Sequence, residues 1–184
     1  MMERRGEIHI LIVKMRRQNF VLLEDSKLGG ACFEPMIRVY KSEQALDHDI
    51  ALFYKGLTKG QQAVFMFYAH FNHANKSLTE LYWWSAYFFA QPSIWSEIKG
   101  GLRYFKDDAM LSFFEDMEVV LIKHKHPRSL AGFRVTRDDL DRNQELRESM
   151  TTLNTSFRNI ASFTLIRIGA HIRSNPDEFV RLED

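Results

Sequence analysis

The chain has 184 residues, of which 45% are hydrophobic and 27% charged, and its formal net charge is +1. This composition is typical of a globular domain and excludes the charged, apolar-poor class of disordered chains. The length suits one domain that buries a core without disulfides or a structural metal. The near-zero net charge excludes a global field that would attract nucleic acid or imitate it, although local patches could still act.

Cysteine usage and hydropathy bear on the compartment. The single cysteine, Cys32, excludes an internal disulfide framework and favours a reducing compartment. The basic start and the apolar run Ile8–Val13 resemble a signal peptide faintly, but the run is short, contains His9 and lacks a small-residue cleavage site. No stretch approaches the roughly 20 apolar residues of a membrane-spanning helix. We therefore predict a cytoplasmic protein of the bacterial cytosol or nucleoid, with no membrane partner.

The N-terminal segment has two interpretations. Apolar residues between Ile8 and Leu23 fit a helical stripe, which we favour. However, several residues up to Val13 are β-branched, and Phe20–Leu23 could form a second strand after a turn. A small β-hairpin within residues 7–24 is therefore kept as the alternative.

Glycine and proline predict where the next elements end. Gly29 and Gly30 with Pro35 predict a loop, because glycine favours a flexible connection and proline disfavours a helical residue before it. Gly56 can supply the left-handed residue that ends the helix after that loop. The residues at helical spacing in this helix are Leu46, Ile50, Phe53 and Leu57.

Two capping boxes mark the aromatic centre of the chain. In Thr58–Gln61 and in Ser77–Glu80, a hydroxyl is followed three residues later by Gln or Glu, the pattern that satisfies free amides at a helix start. They open the helices Gln62–His73 and Leu81–Ala90, and Pro92 stops the second. Both helices are so rich in large apolar residues that we predict the core lies here.

The remaining elements are predicted from the same signals. A short helix Ser93–Lys99 ends at two glycines, and an amphipathic helix follows over Leu102–Leu121 with a joint near Lys106–Asp108. His124–Val135 contains proline and glycine and is predicted to be a surface loop. Thr136 then caps a long final helix.

These elements predict an all-α fold. We expect a single domain over residues 1–184, built as a bundle of five to seven helices. Residues 42–122 form the aromatic-rich core helices, and the long C-terminal helix, residues 136–174, packs across them. Residues 1–41 form a less regular N-terminal segment that contains either the helix or the small hairpin.

A first candidate site is a metal centre. His70 and His73 are three residues apart and therefore share one helix face, and Glu80 could supply a third ligand across the turn. A metal-binding helix usually shows a fuller motif, such as His-Glu-x-x-His. The alternative is that these polar groups satisfy the end of the helix.

A second candidate is the basic run that contains Lys123, Lys125 and Arg128, joined by Arg134 and Arg137. Such a loop could bind phosphate groups or an acidic partner. Acidic segments flank it on both sides, and no nucleic-acid motif or interleaved aromatic residue accompanies it. The alternative is a solvated surface on which neighbouring helices neutralise one another.

A third candidate is the aromatic belt, with Trp83, Trp84, Tyr87 and Trp95 as predicted protein-binding residues. These side chains point in several directions from one helix, so some of them must meet a second layer, a ligand or another chain. Tryptophan and tyrosine concentrate binding energy at protein interfaces. The alternative is a central helix surrounded by its neighbours.

The sequence resembles a family of small helical bacterial proteins of mostly unknown function that includes some DNA-mimic proteins. The residues that carry the resemblance are Leu57–Phe65 (Leu-Thr-Lys-Gly-Gln-Gln-Ala-Val-Phe), an aromatic helix, and Gly100–Phe105 (Gly-Gly-Leu-Arg-Tyr-Phe). The resemblance implies a helical fold and identifies no functional residue. The balanced charge argues against DNA mimicry, which needs a dense acidic surface.

No catalytic signature is present: there is no glycine-rich phosphate loop, no Gly-x-Ser-x-Gly elbow and no cysteine nucleophile with a traceable partner. We therefore predict a non-enzymatic protein-interaction or regulatory module without a cofactor, which binds a protein partner or itself. One alternative is a metal-dependent enzyme that uses His70 and His73. A second is a nucleic-acid-associated protein that uses the basic loop, residues 123–137.

Overall fold

The computed structural model describes residues 13–46 and 50–184, and these ranges form a helical bundle with two short strands. The helices are α1 (Arg17–Leu22), α2 (Asp25–Ala45), α3 (Ile50–Lys55), α4 (Lys59–Ala74), α5 (Leu78–Phe89), α6 (Pro92–Tyr104), α7 (Asp108–Lys123), α8 (Asp139–Arg142) and α9 (Gln144–Ser174). The strands are β1 (Lys14–Arg16) and β2 (Arg181–Glu183), and 3-10 turns cover Leu130–Gly132 and Pro176–Glu178. The predicted all-α class is confirmed. The described ranges contain more helices than predicted because α1, α3 and α8 are short pieces that apolar periodicity does not separate.

Helix α4 is the centre of the bundle, since it packs against α2, α5 and α6. Its start is the predicted capping box: Thr58 Oγ1 accepts from the Gln61 amide at 3.1 Å, and Gln61 Oε1 accepts from the Thr58 amide at 3.0 Å. Buried side chains cover most of its circumference, as the apolar content predicts. They include Val64, Phe65, Met66, Phe67, Tyr68, His70 and Phe71.

The loop predicted between Gly29 and Pro35 is wrong, because α2 continues through both. Glycine and proline together cost a helix a few kcal/mol. Leu28, Cys32 and Met36 lie one turn apart and are each fully buried, so tertiary packing outweighs that cost.

Gly29 of α2 and Gly101 of α6 serve close helix packing rather than flexibility. A Cβ at Gly29 would lie 2.7 Å from the Tyr68 hydroxyl oxygen and 2.9 Å from Ile168 Cγ2. The predicted helix end at Gly100 is wrong for the same reason: α6 continues, and a Cβ at Gly101 would lie 3.1 Å from Ala63 Cα of α4. These glycines therefore set how near α2 and α6 come to the core.

Helix α9 has 31 residues and packs along α7 and α2. Arg173 near its end donates to Asp25 Oδ1 at 2.7 Å and to the carbonyls of Phe20 and Leu23, and so fixes the connection between α1 and α2. None of the described helices, α9 included, is long and apolar enough to span a membrane.

The hairpin alternative is wrong within the described residues. Its second strand, Phe20–Leu23, falls mainly in α1, because Phe20 turns inward to the core while its neighbours are exposed. The strand β1 pairs instead in parallel with β2 at the other end of the chain, with Met15 opposite Leu182. Residues 7–12 lie outside the described ranges.

The helix end predicted at Gly56 is confirmed, because α3 ends at Lys55, but the conformation of Gly56 and the start of the final helix differ from the predictions. Gly56 does not adopt the left-handed conformation, since no glycine in residues 13–46 and 50–184 has a positive φ. The final helix begins at Gln144 and not near Thr136, because Thr136 closes a turn on Asp139 and Asn143 caps α9 by accepting from the Leu146 amide. The propensity of a residue for the N-cap position does not by itself show whether Thr136 or Asn143 starts the helix.

We expect Gly169→Ala to destabilise the protein by about 2 kcal/mol or more, because the added Cβ would overlap the backbone of Asp25, which cannot move without separating α2 from α9. The matched control is Gly100→Ala, where a Cβ has nothing within 4 Å. This control should stabilise the helix by roughly 0.5–1 kcal/mol. Urea unfolding measures both variants, and equal effects would contradict the packing assigned to Gly169.

Candidate functional site

His70, the first predicted metal ligand, lies in the hydrophobic core. It is 1% exposed, its Nε2 atom lies 3.0 Å from Ser85 Oγ, and the ring of Phe114 contacts it edge-on. Burial lowers the pKa of His70 to about 3, so the imidazole is neutral at physiological pH. The structure gives His70 a packing role and a hydrogen bond within the core.

The other two predicted ligands are engaged elsewhere. The ring of His73 stacks on Trp84 with centroids 3.7 Å apart, and Glu80 accepts from Trp84 Nε1 at 2.9 Å and from Arg137. No group of three or more histidine, cysteine or acidic side chains in the described ranges could hold a metal ion. The three predicted ligands do not form a coordination site.

The basic run does not form one continuous cationic surface. Lys123 pairs with Glu145 of α9 at 2.6 Å. Arg128 lies 3.6 Å from Glu118 and stacks over the Phe89 ring at 4.1 Å. Lys125, the third predicted phosphate ligand, makes no ion pair with a residue in the described chain. The neutralisation expected from the acidic flanks therefore applies to two of the three.

Helix α5 has an inner face and an outer face, and both are apolar. The inner face is fully buried and consists of Leu81, Tyr82, Ser85, Ala86 and Phe89. The outer face is half-buried and consists of Trp83, Trp84, Tyr87 and Phe88. One side of α5 therefore faces the core, and the other side is partly exposed to solvent.

Trp95 does not belong with the outer face. It lies in α6, is 1% exposed, and donates its indole N–H to Glu118 Oε2 at 3.1 Å. The prediction that Trp95 binds a partner is wrong, because α6 turns this side chain toward Phe89 and Phe114.

We define the aromatic surface as the half-buried rings of His73, Trp83, Trp84, Tyr87, Phe88 and Phe133. Its members contact one another in series: Trp83 stacks on Tyr87 with centroids 5.3 Å apart, and both rings meet Phe133 edge-on. Trp84 lies between Trp83 and His73. Such offset and edge-on pairs stabilise a fixed arrangement by roughly 0.5–1.5 kcal/mol each beyond burial.

The loop between α7 and α8 holds the edge of this surface. Trp83 Nε1 donates to the Val135 carbonyl at 3.1 Å, and the Arg137 guanidinium lies 4.6 Å from the Trp83 ring centroid. Arg137 also donates to both oxygens of Glu80, at 2.5 and 3.1 Å. These hydrogen bonds from Arg137 hold the pKa of Glu80 below its ordinary value.

Sequence reasoning missed Phe133 and the pairing of Arg137 with Glu80. The second capping box is only half formed, because Ser77 accepts from the Glu80 amide while the Glu80 carboxylate turns to Arg137 and Trp84. The one available signal was the amphipathic character of the loop, which carries Phe133 and Val135 between basic residues.

No protein-family model, curated protein or solved structure matches this chain. The chemistry and geometry of these side chains are therefore the basis for inferring a function.

The buried His70 predicts a specific loss of stability in acid. The folded pKa of about 3 lies below the ordinary 6.5, so the unfolded chain takes up a proton in this interval and stability falls as the pH falls from 6.5 toward 3. At pH 5 this group accounts for about 2 kcal/mol of lost stability. Between pH 7 and pH 5, the single variant Ser85→Ala should lose about 2 kcal/mol more stability than the double variant His70→Leu with Ser85→Ala, because the double variant lacks the imidazole that titrates. Chemical unfolding at the two pH values measures it, and parallel losses would show that His70 is not buried neutral.

Proposed function

We propose that this protein is a non-enzymatic interaction module that binds a protein partner through the aromatic surface of α5. The observation that carries the proposal is a contiguous set of half-buried aromatic rings, including two tryptophans and a tyrosine, on the outer side of a central helix. Tryptophan and tyrosine are the residue types enriched where binding energy concentrates. A regulatory role in the bacterial cytoplasm belongs to this proposal.

The order within the aromatic surface supports binding. Both outer indole N–H groups already donate inside the protein, Trp83 to Val135 and Trp84 to Glu80. The side chains are therefore held in one conformation before a partner arrives, which lowers the entropy cost of association. A partner could cover both indole rings without leaving either indole N–H unpaired.

Polar groups border the aromatic surface. The side chains of Arg137 and Glu80 are 44% and 24% exposed and pair with each other beside Trp84. A polar rim around an apolar centre is the usual layout of protein interfaces. We infer that this pair borders the contact and contributes to partner choice more than to affinity.

The two alternative functions receive less support from the same contacts. A metal enzyme would need His70, His73 and Glu80 to converge, and each is engaged with other side chains. A nucleic-acid module would need a continuous row of free cations along the loop, and the ion pairs of Lys123 and Arg128 with carboxylates interrupt it.

The test compares two exposed apolar surfaces of one protein. Tagged wild-type protein is incubated with native lysate and washed at moderate salt, and the bound proteins are quantified by mass spectrometry. We expect a stoichiometric partner that Trp84→Ala with Tyr87→Ala weakens by about tenfold or more, since truncating two anchor residues commonly costs over 1.4 kcal/mol.

The matched control is Phe163→Ala with Ile166→Ala on α9, whose side chains are 71% and 48% exposed. This control should retain the partner. Thermal unfolding establishes that both variants fold. A wild-type protein that elutes alone and is monomeric by light scattering, or a partner lost only with the α9 variant, contradicts the proposal. A dimer that the α5 variant dissociates would identify the partner as a second copy of the chain.

A further inference from the structure

A cleft of about 360 Å³ lies where the loop after α7 meets α5, α8 and the start of α9. We name it the basic cleft and define it by the lining residues Tyr82, His124, Lys125, Arg134, Asp139 and Arg142. It is distinct from the aromatic surface, and the two meet at Val135. This residue lines the cleft, and its backbone carbonyl accepts the hydrogen bond from the Trp83 indole N–H. Its volume lies at the lower end of the range for small-molecule sites.

The cations of the basic cleft are largely uncompensated. Lys125 and Arg134 make no ion pair and no side-chain hydrogen bond with any residue in the described parts of the chain. The charge of Arg142 also acts on Asp139 of the cleft, and its ion pair in the described chain, with Asp138 at 3.9 Å, joins two side chains that are both more than 70% exposed. Such a pair contributes little and is easily exchanged for another anion.

The one carboxylate of the basic cleft is already satisfied. Asp139 accepts from the Thr136 amide and hydroxyl, each at 2.9 Å, and from the Tyr82 hydroxyl at 3.4 Å. These hydrogen bonds hold the Asp139 carboxylate against Thr136 and Tyr82. Three cations, set against Asp139 and the Asp138 partner of Arg142, leave a net positive cleft.

The start of α9 also favours an anion there. Asn143 lines the same cleft and caps α9, so the positive end of this helix dipole adds to the field of the cations.

We propose that the basic cleft binds the phosphoryl group of a small molecule, with Lys125, Arg134 and Arg142 as the charged ligands. The two guanidinium groups offer paired N–H donors that match phosphate oxygens, and the lysine adds a point charge. An unphosphorylated carboxylate would leave part of this donor set unused. The ion pairs of Lys123 and Arg128 keep the positive surface from extending past the cleft, as a polynucleotide backbone would require.

The set of residues differs from the one that the sequence predicts. Of the predicted ligands Lys123, Lys125 and Arg128, only Lys125 lines the cleft. Arg134 comes from the same loop and Arg142 from α8. This difference supplies a matched control. Lys125 and Arg134 line the cleft whereas Lys123 and Arg128 do not, and either pair can be neutralised with the same change in net charge.

The test titrates inorganic phosphate, as the probe, into the pure protein at low salt and follows binding by calorimetry and amide NMR shifts. We expect a dissociation constant on the order of 1 mM for this minimal probe. Lys125→Gln with Arg134→Gln should weaken binding at least tenfold, whereas Lys123→Gln with Arg128→Gln should change it less than threefold. All four side chains are exposed, and thermal unfolding verifies that both variants fold.

Three outcomes would overturn the proposal. One is no saturable phosphate binding up to about 20 mM, far above the expected constant. Another is equal weakening in the two double variants, which would indicate a general charge effect. The third is tight binding of a single-stranded oligonucleotide without binding of phosphate, which would assign the cations to a nucleic acid instead. Glucose 6-phosphate and a phosphoserine peptide, titrated in parallel, distinguish a small phosphorylated ligand from a phosphorylated protein.

Discussion

The docking of residues 124–138 on α5 is the interaction on which both candidate surfaces depend. Trp83 donates to the Val135 carbonyl, Arg137 covers the Trp83 ring, and the same guanidinium holds both oxygens of Glu80. An exposed ion pair of this kind contributes at most about 1 kcal/mol by itself. Here it acts together with an indole hydrogen bond and aromatic contacts, so the loop is held by several interactions that cooperate.

This docking determines which side chains lie at each of the two surfaces. It brings Phe133 against Trp83 and Tyr87 and thereby completes an apolar surface, and it places Arg134 in a cleft. Tyr82 connects the cleft to the core, since its ring is buried while its hydroxyl lies 2.9 Å from His126 Nε2. The aromatic surface and the basic cleft thus share one structural support.

Local signals in the sequence predicted the local structure well. The Thr58–Gln61 box, the aromatic helices and the 3,4 spacing of α9 were enough for the all-α class. They failed where distant packing decides: Gly29 and Pro35 lie inside α2, and Trp95 is core. The candidate site was only partly predictable for the same reason, because Glu80 and Arg137 are 57 positions apart and no periodicity connects them.

Hydrogen exchange of the three indole N–H groups, followed by NMR, tests most directly whether the loop holds the aromatic surface in place. Trp95, bonded to Glu118 in the core, is the internal standard. If the loop is docked on α5, the Trp83 and Trp84 signals are also protected, and Arg137→Gln accelerates exchange at both while Trp95 is unchanged. Exchange of Trp83 in the wild-type protein as fast as in a free peptide would show that the loop is not docked on α5.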